Sequence, residues 1–218
     1  MDKHNLQNND ISSSDIFGDS TESQSWKFNT HSKGPSGKLP FTKDFLINNS
    51  SGDHFGMSQN AGMGWNPEEL SRNQFLILST SGGLREPDGT PIALGLHTGH
   101  FELAQMVEIA SRELRQLGTI PFSLYCSDPC DGRTQGTNGM LDSLPYRNDS
   151  AQVLRRLARS LPTASGIMGI ASCDKGLPAM MMALAGLKEQ PVILVLSLIH
   201  ISEPTRPRLI SYAVFCLK

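Results

Sequence analysis

Three short stretches of this sequence carry side chains able to bind metal or move charge. Cys173-Asp174-Lys175-Gly176-Leu177-Pro178-Ala179 sets a thiol, a carboxylate and an amine in succession just ahead of an apolar run. A thiolate suits a soft iron–sulfur or zinc centre and a carboxylate suits a hard cation such as Mg²⁺, so adjacent residues could serve two metals. Cys126-Ser127-Asp128-Pro129-Cys130-Asp131-Gly132-Arg133 adds further thiols and a guanidinium, and His97-Thr98-Gly99-His100 adds imidazoles. Each has a plainer alternative. From spacing alone Cys173 reads first as a buried thiol beside a solvated Asp-Lys pair, Cys126 as core at the end of an apolar strand, and His100 as a site hydrogen-bonder or a helix opener. Arg133 and Arg147 could clamp a carboxylate bidentately or lie solvated in loops. The Met180 to Met182 run reads as helix core.

The elements that must position these groups follow from periodicity. Gln74 to Thr80 is a short apolar run bounded by Gly82-Gly83, the mark of a buried strand, and Pro91 to Leu96 is a candidate second one. From His100 to Leu117 the apolar residues Leu103, Met106, Val107, Ala110, Leu114 and Leu117 recur at helical spacing. Pro121 to Cys126 predicts a strand, Gln152 to Leu161 a helix, Gly166 to Ala171 a small-residue strand, Leu177 to Leu187 a helix and Val192 to Val195 a strand. This alternation predicts an α/β fold, a parallel sheet with helices on both faces. In such sheets chemistry collects at the carboxyl ends of strands, and all three stretches fall there. His97, Cys130 and Cys173 are therefore expected to converge from separate loops.

Composition narrows the classes. With 19 Lys plus Arg against 21 Asp plus Glu, the formal charge of −2 supplies no basic field for phosphates, so nucleic acid is not an expected partner. No apolar run reaches the length that spans a bilayer, and MDKHNLQNND lacks a signal-peptide core, so a cytoplasmic protein without a membrane partner is expected. Four cysteines in 218 residues do not form a disulfide framework. Residues 1 to 60, rich in Ser, Asn, Asp and Gly, are expected to be a flexible N-terminus and a packing arm. Within 56 to 65 a loop is expected to pack on a larger body, and Pro67-Glu68-Glu69 should open a short helix.

Several motifs together resemble a known family. SCDKGLPAMMMALAG is similar to the Cys-Asp-Lys signature of the dihydroxy-acid and phosphogluconate dehydratases, and SDPCDGRTQGTNGMLDSLPYRNDSA is similar to the segment that precedes it there. NAGMGW, LSTSGGLREPDG and LGLHTGHFELA extend the likeness in order from Leu39 to Val195, most closely to the xylonate dehydratase-like subgroup that acts on sugar acids. The resemblance implies an iron–sulfur hydro-lyase that uses Mg²⁺ and removes water from a 2,3-dihydroxy acid to give a 2-keto-3-deoxy acid. Residues 61 to 195 would then be the truncated N-terminal α/β domain of a larger dehydratase, a homo-oligomer at full length. Cys130 and Cys173 would be cluster ligands, Asp174 a Mg²⁺ ligand, and Lys175 another if carbamylated. His97 stands where dihydroxy-acid dehydratases carry a cluster cysteine, and Asn138 near where many relatives carry a metal-binding Glu; Asp142 is a possible substitute for the latter. Arg133 and Arg147 are the candidate carboxylate binders, and the catalytic base is expected in a later region. Alternatives are a dihydroxy-acid dehydratase of branched-chain amino-acid synthesis and a non-catalytic metal-binding module; the 218-residue chain by itself is expected to be inactive.

Residues 196 to 218 break the pattern, passing into Glu203-Pro204-Thr205-Arg206-Pro207-Arg208 with no helical stripe afterwards. Leu196 to Arg206 and Ile210 to Lys218 resemble translated sequencing adapter. They are excluded from fold reasoning, along with His200 and Cys216, and are expected to pack poorly.

Overall fold

The computed structural model describes residues 36–127, 129–197 and 212–217. The flexibility expected of residues 1–35, and most of the tail, lie outside the described residues. The chain divides into two units at Leu70/Ser71.

In the first unit, helix α1 (Lys43–Asn48) is capped by the Thr42 hydroxyl, which accepts from the Phe45 amide. Helix α2 (Ser51–Gly62) starts with a capping box, in which Ser50 and Asp53 each accept the other's backbone N–H. That box makes residues 51 to 62 helical where a packing loop was expected, because it satisfies orphan amides at a helix start. Phe41, Phe45 and His54 form an aromatic cluster, with the Phe41 and Phe45 rings stacked at 5.6 Å. Pro67–Glu69 forms the expected short helical turn, of 3₁₀ type, behind an Asn66 cap.

The second unit is the expected α/β fold. Strands β1 (Gln74–Thr80), β4 (Ile120–Cys126), β5 (Ala164–Ala171) and β6 (Val192–Ser197) are parallel, in the order β4-β1-β5-β6. Strand β1 is central and buried almost throughout, as its unbroken apolar run requires. Its side chains alternate between two cores. Leu76 and Leu78 face the layer made by α5 (Ser143–Arg159) and α6 (Gly176–Ala185), while Ile77 faces α3 (Thr98–Gln116) through Leu103 and Val107. Small residues in β5 have a packing cause. A Cβ on Gly169 would lie 2.7 Å from Leu184 and Met180, so α6 presses directly on the strand backbone.

The structure departs from the sequence expectations in several places. The run at Pro91 gives only β3 (Pro91–Ala93), which pairs antiparallel with β2 (Leu84–Arg85) in a hairpin separate from the main sheet. Helix α5 begins nine residues before Gln152, preceded by two short turns, α4 (Asp131–Thr134) and a 3₁₀ segment, Asn138–Asp142. Met180 is fully buried, whereas Met181 and Met182 are 48% exposed, because α6 rests on the sheet by one side. Strand β6 continues through Ser197, and β7 (Tyr212–Leu217) pairs antiparallel along it from Val192↔Leu217 to Ser197↔Tyr212. Residues 212–217 of the tail thus pair by their backbone along β6, since Tyr-Ala-Val-Phe-Cys-Leu is an uncharged run rich in strand formers and an open sheet edge is a template for one, while the poor packing expected of the tail's side chains lies outside the described residues. Among the described residues no helix is long and apolar enough to cross a membrane.

Candidate active site

Parallel pairing of β4, β1 and β5 brings their carboxyl ends to one edge of the sheet. From β1 the chain returns to one side to make β4, then crosses to the other side for β5, and this reversal opens a crevice at the end of β1. There lies a cavity of about 440 Å³ lined by His97, Cys130, Asp131, Gly132, Arg133, Cys173 and Asp174. Each of the three sequence stretches contributes to its wall.

Cys173 follows β5 and takes φ +67°, the one non-glycine residue with positive φ among those described. A left-handed conformation costs an L-residue about 1–2 kcal/mol, and such strain persists where the surroundings hold a side chain in place. Here the Cys173 Sγ lies 2.9 Å from His97 Nε2 and 3.5 Å from the Ser172 hydroxyl. His97 is the N-cap position of α3, and its ring centroid is 3.9 Å from that of His100. His100 itself is buried in the first turn, against Gly82 and Gly95, at whose positions a Cβ would sit 2.8 and 3.0 Å from its Nδ1. It therefore both opens the helix and backs the site. Cys130 precedes α4, and its carbonyl accepts from the Arg133 and Thr134 amides, fixing the turn that carries Asp131 and Arg133.

Asp131 is the residue that sequence reasoning missed. Its carboxylate is buried, accepts from Lys175 Nζ at 2.5 Å through Oδ2, and accepts from the Ser143 hydroxyl at 2.7 Å through Oδ1. Burial by itself would raise its pKa. The hydrogen bonds from Lys175 and Ser143 and the ammonium charge outweigh burial, so the carboxyl titrates below its ordinary value and stays ionised. One sequence signal could have found it: Cys130-Asp131 repeats the Cys173-Asp174 dipeptide, and both follow the end of a parallel strand.

The structure does not bring every candidate together. Arg133 lines the cavity and donates from Nε to the Leu96 carbonyl at 3.0 Å. Arg147 does not line it; its guanidinium donates to the Asn148 side chain. Asn138 and Asp142 are exposed in the 3₁₀ turn and are not among the lining residues. Cys126 is half-buried and packs against the larger core, as its strand-end reading expects. Lys175 points its amine at Asp131 and not at Asp174.

The donor set fits both metal types by chemistry. Thiols of Cys130 and Cys173 and the His97 imidazole are soft or borderline donors, whereas the carboxylates of Asp131 and Asp174 are hard ones. Among the described residues no three His, Cys, Asp or Glu side chains come close enough to hold an ion by themselves.

The α/β sheet thus gathers thiols, carboxylates and a lysine at its carboxyl edge, where open parallel sheets place their ligand sites. Residues 92–198 match the family model described as dihydroxy-acid/6-phosphogluconate dehydratase N-terminal. Two D-xylonate dehydratases of Escherichia coli K12 resemble it strongly. YjhG is 55% identical over 180 residues, 83% of this chain and 27% of its own length. YagF is 56% identical over 166 residues, 76% of this chain and 25% of its own. A dihydroxy-acid dehydratase of Pyrococcus abyssi is 37% identical over 89 residues, 41% of this chain and 16% of its own. The chain thus spans about a quarter of the length of the two Escherichia coli relatives.

Proposed function

We propose that the full-length protein is a sugar-acid dehydratase of the xylonate type, removing water from a 2,3-dihydroxy acid to give a 2-keto-3-deoxy acid. The observation that carries this is the convergence of Cys130, Asp131, Cys173 and Asp174 on one cavity, in a chain whose E. coli relatives are named D-xylonate dehydratases. In the reaction the C2–H bond breaks, the C3 hydroxyl leaves as water, and the resulting enol becomes the 2-keto acid.

On this reading Cys130, Cys173 and His97 would hold an iron–sulfur cluster, and Asp131 and Asp174 would hold Mg²⁺, joined by Lys175 once carbamylation has replaced the ammonium that pairs with Asp131. When bound, these groups supply Lewis acidity toward the departing hydroxyl and neutralise charge developing on the enolate. The protein's own side chains do the positioning. Arg133, tethered to the Leu96 carbonyl, offers its remaining N–H donors to the substrate carboxylate. Asp131, held ionised by Ser143 and Lys175, keeps negative charge in the cavity wall that a hard cation requires. The base that takes the C2 proton is assigned to no residue of this chain, and the full-length enzyme is expected to act as a cytoplasmic homo-oligomer.

The test is turnover by the full-length enzyme, read as 2-keto-3-deoxy acid formed from a five-carbon 2,3-dihydroxy acid. Asp174→Asn should abolish turnover while leaving iron bound, and Cys130→Ser should remove both. Wild-type enzyme that forms no keto acid from any 2,3-dihydroxy acid would overturn the proposal.

A further inference from the structure

Ser143 uses its hydroxyl in a way that three other serines in or beside helices of this chain do not. Ser58, Ser111 and Ser160 donate to the carbonyl four residues back, at His54, Val107 and Arg156, the ordinary local bond of a serine on a helix. Ser143 opens α5, and at a helix start a serine hydroxyl commonly accepts from a first-turn amide. It does neither. Its Oγ donates at 2.7 Å to Oδ1 of Asp131, twelve residues earlier and in the cavity wall, while Asp142 gives α5 no side-chain cap. The hydroxyl thus serves the carboxylate and not its own helix.

That bond is the one able to outlast the ion pair. Asp131 has two side-chain donors, Ser143 on Oδ1 and the Lys175 amine on Oδ2. An ammonium repels a cation seated on the same carboxylate, and on the Mg²⁺ assignment above carbamylation removes that ammonium. Ser143 is neutral, so a cation leaves its donation in place, and of the two donors it alone then holds Asp131. Both side chains are buried, Ser143 at 5% and Asp131 at 8% exposure, so water is poorly placed to substitute for a lost hydroxyl. A hydroxyl donating to a carboxylate makes a short, charge-assisted bond, which fixes both the direction of the carboxylate and the oxygen it leaves open.

We propose that Ser143 is a positioning residue for Mg²⁺, holding Asp131 by Oδ1 so that Oδ2 stays open to the cation, a role that rests on the Mg²⁺ assignment above. The experiment measures Mg²⁺ affinity by calorimetry in bicarbonate buffer, and iron per chain, on the full-length enzyme. Alanine is a better helix former than serine, so Ser143→Ala keeps α5 while deleting the donor. Its Kd for Mg²⁺ should rise about 10- to 100-fold, the usual cost of removing the hydrogen-bond partner of a metal ligand. Ser143→Thr keeps a hydroxyl and should restore most of that affinity. Iron per chain should hold at the wild-type value in both, since Ser143 bonds to neither Cys130 nor Cys173. Leu154→Val trims α5 where it joins the core with Leu76 and Leu78, and should leave the Kd unchanged. A wild-type Kd in Ser143→Ala, an equal rise in Leu154→Val, or loss of iron from Ser143→Ala overturns the role of Ser143 while Mg²⁺ binding by the wild type stands. A wild type that binds no Mg²⁺ overturns the metal assignment and the role of Ser143 with it.

Discussion

With Lys175 uncarbamylated and no Mg²⁺ bound, removing one partner of the Asp131–Lys175 pair should cost far more stability than removing both. Their side chains are 8% and 14% exposed, which takes the pair out of the regime of solvated surface pairs worth about 0–1 kcal/mol. Asp131→Ala leaves an ammonium with little access to water, and Lys175→Met leaves a buried carboxylate with Ser143 as its remaining donor. Breaking a buried pair from one side costs about 3–5 kcal/mol. Because the Lys175 side chain keeps some solvent contact, about 3 kcal/mol is expected for each single change, a fall in Tm of roughly 6–12 °C. The double variant Asp131→Ala/Lys175→Met retains no unpaired charge and should lose only about 1–2 kcal/mol, mainly the Ser143 hydrogen bond. Urea unfolding of the four proteins, followed by circular dichroism, gives the cycle. A double variant that loses the sum of the two singles would mean that the two charges are not coupled. The pH dependence has a fixed sign. The folded-state pKa of Asp131 lies below the ordinary 3.8, so its contribution is fully present above that value and is lost as pH falls through the depressed one. The gap between wild type and Asp131→Ala should therefore hold from neutral pH down to 3.8 and shrink only in more acid solution.

Two further outcomes follow from backbone geometry. At Cys173, with φ +67°, glycine relieves left-handed strain that alanine retains, so Cys173→Gly should exceed Cys173→Ala in stability by about 1 kcal/mol in urea; an alanine variant of equal or greater stability would remove the strain argument. Gly83 combines φ +85° with backbone atoms at 2.7 and 3.0 Å from any added Cβ, so Gly83→Ala should speed amide exchange across Leu84–Ala93 while β1 keeps its protection. Unchanged exchange in the hairpin would contradict that placement.

Much of the sheet was legible because each strand carries its own local signal. Gln74 to Thr80 is bounded by turn residues, and the α3 stripe from Leu103 to Leu114 repeats at helical spacing whatever surrounds it. The start of α5 was not legible. Ser143 to Ala151 holds Pro145, Asn148 and Asp149, poor interior helix formers, and becomes helical with Ser143 anchored to Asp131 and Ser150, Ala151 and Leu154 buried. The Asp131–Lys175 pair was hidden for a different reason. Forty-four positions separate the partners, and only the pairing of β1 with both β4 and β5 brings their loops to one edge. The separation of Arg147 from Arg133 belongs to the same class, since fourteen residues of turn and helix set their directions and no local pattern encodes that.

On the proposed function, the loops that follow β1, β4 and β5 build one metal-dependent hydro-lyase site, with Cys173 binding iron. Iron per chain in the full-length enzyme, wild type against Cys173→Ser, tests it most directly. The serine variant should fold, with an unchanged far-ultraviolet spectrum, and lose its iron and the accompanying visible absorbance. A Cys173→Ser protein with the iron content of the wild type would contradict it.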